Sequence, residues 1–130
     1  KNQNNITFFD YVATSYVPLF LKKCDLLYFS ALKTKVWDFG WSPNKIIDYM
    51  LVGKPVLCSY SGYKTMINEA NSGFFVPSED SKSLEAVILE ILSINKNELN
   101  IMGQRGRNWI LANRKYSKLA DDYLKIFNCE

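Results

Sequence analysis

Asn44, Lys45 and Asp48 fall three and four residues apart in Ser42-Pro-Asn-Lys-Ile-Ile-Asp-Tyr-Met50, a segment that opens with a helix-starting Ser-Pro pair. At helical spacing the three share one polar flank, opposite Ile46, Ile47 and Met50. The amino end of such a helix offers unpaired N–H groups and the positive end of its dipole, a seat for phosphate. Pro43 carries no N–H, so the donors would be Asn44, Lys45 and Ser42. Asp48, more than a turn into the helix, presents two acceptor oxygens that suit a vicinal diol such as the hydroxyl pair of a ribose. Trp37 and Trp41 flank the preceding loop and read equally as stacking surfaces for a base or sugar and as packing. The plainer reading of the whole motif is a capped helix with a surface Lys45–Asp48 pair worth roughly 0.2–0.5 kcal/mol.

Other chemistries are narrowed by what the chain lacks. It has no histidine, which removes Ser-His, Cys-His and His-metal arrangements within these residues. Three cysteines, Cys24, Cys58 and Cys129, are odd in number and widely spaced, with no metal-ligand pattern. Cys24 and Cys58 sit in apolar runs and read as buried free thiols, which points to a reducing compartment. No run nears the roughly 18 apolar residues of a membrane span. The net charge of +3 is mixed in sign along the chain, so no nucleic-acid footprint shows. Arg105, Arg107, Arg114 and Lys118 form the densest basic stretch and read as a solvated helical face.

The elements that must position the motif alternate in type. Ile6–Val12 is rich in aromatic and β-branched residues and predicts a strand. Ser15 is a candidate cap for a helix with Val17, Phe20, Leu21 and Cys24 on one stripe. Leu26–Phe29 predicts a second strand, and the loop 31–41 leads to the Ser42-Pro43 helix. Gly53 is its stop, Pro55–Cys58 a third strand, and Phe74–Val76 a fourth after a short helix over 64–70. Asp80 is placed to cap a helix bearing Leu84, Val87, Ile88 and Ile91, and two more helices follow. Strands separated by helices imply crossover connections, hence an α/β Rossmann-like parallel sheet of about four strands, helices on both faces and a helical C-terminus. Ligands of such sheets bind beyond the carboxyl ends of the strands.

The motif, followed by Gly53-Lys-Pro-Val56, resembles the signature of the group 1 family of retaining, GT-B-type glycosyltransferases. Within it, the bacterial surface-polysaccharide branch akin to fucosaminyltransferases is most similar. Collinear matches run through Phe9-Asp-Tyr-Val12, Leu21–Leu27, Asn68–Pro77 and Met102-Gly-Gln-Arg-Gly-Arg107. The resemblance implies a single but incomplete nucleotide-sugar-binding domain over 1–130, the C-terminal half of a GT-B enzyme. It places Asp48 where a Glu or Asp bonds the donor ribose. Trp41, Ser42, Pro43 and Asn44 fall on the turn by the sugar and pyrophosphate, Lys45 beside it, and Tyr11 and Val12 near the base. A second Glu usual in the family, eight residues before Asp48, is Gly40 here.

The donor expected from this resemblance is a nucleotide diphosphate sugar, UDP-linked, with no metal and no cofactor. The acceptor is a saccharide or lipid-linked chain, held by an N-terminal domain outside these residues. Catalytic residues are not assigned, and transfer by these residues alone is not expected. The expected location is the cytoplasm, at the inner face of the plasma membrane, with peripheral membrane contact in the complete enzyme. A non-catalytic α/β binding module is the competing reading, favoured by Gly40. A dinucleotide enzyme is disfavoured because no Gly-x-Gly-x-x-Gly follows a strand.

Overall fold

The computed structural model describes residues 5–127. In chain order the elements are α1 (Val17–Lys22), β1 (Leu27–Ser30), α2 (Asn44–Leu51), β2 (Val56–Ser59), α3 (Met66–Ala70), β3 (Gly73–Val76), α4 (Ser81–Ser93), α5 (Lys96–Asn113) and α6 (Tyr116–Phe127). The strands form one parallel sheet in the order β1-β2-β3, with Leu27 opposite Val56 and Val56 opposite Gly73. Helices cover both faces, so the doubly wound α/β architecture holds.

Alternation along the strands builds two cores. Val56 and Cys58 face Ile46 and Met50 of α2, Ile67 of α3 and Ile110 of α5. Leu57 and Val76 face Ile91 of α4, with Leu26, Leu84 and Val87 around them. The helix starts use local side chains. Asp80 accepts from the Ser83 N–H at 3.0 Å, as its position predicts. Thr65 and Asn68 close a reciprocal capping box on α3, with the Thr65 N–H donating to Asn68 Oδ1 at 2.8 Å. Asn71, at φ 47°, ends α3 in the left-handed conformation.

Four expectations change. The sheet has three strands among the described residues, because Ile6–Val12 forms no ladder. Ile6, Phe8, Phe9 and Tyr11 are exposed, and Phe9 instead rests edge-on against Phe20 of α1 with ring centres 5.3 Å apart. β-rich composition expresses a fit to neighbouring strands, and among the described residues this run pairs with none. Ser15 caps nothing; it lies in a 3₁₀ turn, Thr14–Tyr16, that runs into α1. Cys24 is half-buried, whereas Cys58 is buried as expected; Cys129 lies outside the described residues.

The basic stretch is the fourth change, since it is only partly solvated. The Arg105 guanidinium donates to the Asn71 carbonyl at 2.9 Å, and that of Arg107 to the Leu51 carbonyl. Each cation thus meets carbonyls at the end of another helix, where a helix dipole favours positive charge. Gly103 and Gly106 let α5 come that close. A Cβ on Gly103 would stand 2.2 Å from the Gly53 carbonyl oxygen, and one on Gly106 would stand 2.8 Å from Ser72 Cβ. Arg114 instead lies over the Trp109 ring at 5.8 Å, and Lys118 pairs with Asp122 at 3.2 Å.

Candidate functional site

The loop from β1 to α2 is shaped by aromatic contacts. A 3₁₀ turn over Lys35–Phe39 is capped by Thr34, and the Trp37 indole N–H donates to the Leu32 carbonyl at 2.9 Å. The Trp41 ring stacks on Tyr60 with centres 4.4 Å apart and planes 11° off parallel, and it also touches Phe29 and Trp37. These rings bind the loop to the sheet, so the Trp41 ring serves packing.

The start of α2 differs in detail from the sequence expectation. Pro43, extended at φ −73° and ψ 140°, is the residue that flanks the helix; Ser42 makes no cap bond and is exposed. Ser42 lies one residue too far out to reach the first turn. Pro43 puts its carbonyl to use by accepting the Ile46 N–H at 3.0 Å. The N–H groups of Asn44 and Lys45 are left without an intrahelical acceptor, at an exposed tip.

Tip and side of α2 open into different hollows. Asn44 lines one of about 390 Å³ with Ile47, Ile110, Arg114, Lys115 and Tyr116. Asp48 is exposed and lines one of about 220 Å³ with Pro18, Leu21, Lys22, Val52 and Arg107. Leu51 borders both. The second hollow joins α1 to α2, and Tyr11 and Val12 lead directly into α1 through the 3₁₀ turn; Tyr11 is exposed and Val12 half-buried. Lys22 of α1 and Arg107 of α5 thus line the same hollow as the carboxylate. From sequence Lys22 has no role and Arg107 reads as part of a solvated helical face. Membership in the matched runs Leu21–Leu27 and Met102–Arg107 did not place them beside Asp48, because α1 and α5 reach α2 solely through the tertiary fold.

At the carboxyl ends of the strands, Ser30, Ser59 and Leu84 line a further hollow of about 370 Å³ with Glu79 and Asp80. The Glu79 carboxylate accepts the Lys33 N–H at 3.3 Å and ties the loop after β1 to the loop after β3. Hydrogen bonds from Ser83 hold the Asp80 carboxyl below its ordinary pKa, so it stays an ionised cap. Gly40 takes φ 111° and ψ 164°, a backbone region that side chains other than hydrogen avoid. A side chain at this position would be strained by the loop's conformation. Among the described residues no group of acidic, cysteine or histidine side chains is arranged to hold a metal ion.

The family model described as "Glycosyl transferases group 1" matches residues 1–109, a span that contains the whole sheet and every candidate site residue. The chain belongs to this family. Its chemistry in general is glycosyl transfer from a nucleotide-sugar donor. No curated protein and no solved structure matches the chain significantly.

Proposed function

We propose that these residues form the donor-binding portion of a glycosyltransferase that passes a sugar, with retention, from a nucleotide diphosphate sugar to a saccharide or lipid-linked acceptor. The observation that carries this reading is the exposed Asp48 carboxylate on the flank of α2, facing a hollow walled by α1 and flanked by Lys22 and Arg107. In this reading Asp48 accepts from the two ribose hydroxyls. The free N–H groups of Asn44 and Lys45 receive phosphate oxygens at the dipole end of the helix. Ser42, Pro43 and the backbone of Trp41 form the turn beside the sugar, and Tyr11 and Val12 bring backbone groups toward the base. The donor is UDP-linked, and helix dipole and cations meet the diphosphate charge without metal or other cofactor.

The acceptor is held by a further domain, since transfer needs both partners fixed within reach. The setting that suits this chemistry is bacterial surface-polysaccharide synthesis on the cytoplasmic side of the membrane. Gly40 supports a second reading, a degenerate module that binds no donor, because the carboxylate usual near the transferred sugar is absent there.

Titration with uridine and guanosine diphosphates, followed through the backbone amides, separates the two. The expected result is shifts at Asn44–Asp48 with uridine diphosphate and affinity about tenfold weaker in Asp48→Ala, the loss of a charge-assisted hydrogen bond. Unchanged affinity in the variant removes Asp48 from the site, and silence with both nucleotides favours the degenerate module.

A further inference from the structure

We infer that Arg114 and Lys115, at the junction of α5 and α6, form the cationic side of the subsite for the donor's diphosphate. They line the hollow of about 390 Å³ that opens beside Asn44 at the tip of α2. Half-buried Ile47 and Leu119 and buried Ile110 form its floor, and exposed Asn44, Arg114 and Lys115 its rim. No carboxylate lines it. The hollow on the flank of α2 includes Asp48, the one at the strand ends Glu79 and Asp80, and the one beside Lys33 and Lys35 includes Asp38. Lys96 lines a hollow with Asp25 and is paired with it at 3.1 Å. Arg114 and Lys115 have no ion-pair partner among the described residues. Two unneutralised cations over an apolar floor attract an anion more strongly than the same charges in open water. The face of the Arg114 guanidinium is taken up by Trp109, 5.8 Å from the ring centre. Its N–H donors lie in the guanidinium plane and suit two phosphate oxygens.

The inference rests on the donor-binding reading above and adds to it the groups that meet the phosphate charge. Leu51 borders both this hollow and the one at Asp48. Asn44 and Asp48 are one turn apart on α2, about 6 Å of helical rise. A nucleoside diphosphate laid along α2 therefore sets its ribose at Asp48 and its phosphates at the helix tip, where the N–H groups of Asn44 and Lys45 lack intrahelical acceptors. The tip by itself supplies only roughly half an elementary charge, less than a diphosphate carries. The α5–α6 junction brings two full charges to the same hollow from another part of the chain. Both residues lie beyond the span 1–109 that matches the family model.

Titration of the chain with uridine diphosphate, uridine and inorganic pyrophosphate tests it. Lys115→Gln and Arg114→Gln should each bind uridine diphosphate about tenfold more weakly than the wild type, the loss of a charge-assisted contact. Affinity for uridine should not change in either variant. Pyrophosphate should compete with uridine diphosphate and shift the amides of Asn44 and Lys45. Rising salt should weaken uridine diphosphate binding less in the double variant than in the wild type. Lys115 is exposed and belongs to neither core, so Lys115→Gln should keep the wild-type melting transition. Uridine diphosphate bound as tightly by both variants overturns the inference and leaves the donor reading standing. A lowered melting transition with unchanged affinity does the same, and confines the two cations to offsetting the carboxyl end of α5. An equal loss of affinity for uridine also overturns it, because the phosphates would then not be what the cations meet. Silence of the wild type toward uridine diphosphate removes the donor reading, and the inference with it.

Discussion

The two faces of the sheet are closed to different degrees. On the α2–α3–α5 face Met50, Val56, Cys58 and Ile67 are sealed from solvent. On the α4 face Leu57, Val76 and Ile91 are buried, but Tyr28 of β1 stays 45% exposed and Leu92 of α4 76% exposed. The difference follows from backbone approach. Glycines on α5 and guanidinium-to-carbonyl bonds draw three helices onto the first face, whereas the second is covered by α4 with Leu99 from the start of α5. Burial is therefore concentrated where α5 crosses α2.

Truncating the sealed face tests this contrast most severely. Met50→Ala should cost about 2–5 kcal/mol in denaturant unfolding, the range for a cavity in a closed core. Leu92→Ala, on the open face, should fall within about 0.5 kcal/mol. Equal costs would erase the distinction. Gly103→Ala should come next at about 1–3 kcal/mol, because the new methyl meets the Gly53 backbone and α5 must lift from the α2–β2 turn. A full-strength fold in that variant would show that the close approach is dispensable.

Proton linkage sharpens the same comparison. Burial pushes the Cys58 thiol up from 9.0 to about 12, so the folded chain keeps its proton where the unfolded chain loses it. The stabilisation from this group is complete below pH 9.0 and disappears as pH rises toward 12. Desolvation raises Tyr49 and Tyr60 in the same sense. The unfolding midpoint should fall with rising pH above the thiol's unfolded value, and Cys58→Ala should reduce that slope without removing it. A thiol reagent at neutral pH should modify Cys24 before Cys58, since only Cys24 is part-exposed.

Much of this architecture is local and was therefore readable in advance. The α4 repeat and its Asp80 cap, the stop at Gly53 and the strand–helix alternation depend on neighbours within about one helical turn. The exposed polar positions of α2 are of the same kind, although Asn44 and Asp48 open into different hollows and Asn44 shares its own with Ile47.

Long-range partners settled the remainder. Whether Ile6–Val12 joins a ladder depends on a neighbouring strand that its own composition cannot provide. Trp41 became a packing ring when the fold set Tyr60 beneath it, and Arg105 and Arg107 became staples once two glycines let α5 touch the carbonyls of Asn71 and Leu51. Lys22 and Arg107 stand 26 and 59 positions from Asp48 along the chain, and folding alone brings all three to one hollow. Periodicity reports which side of an element is apolar; it carries no information on which distant surface will cover it.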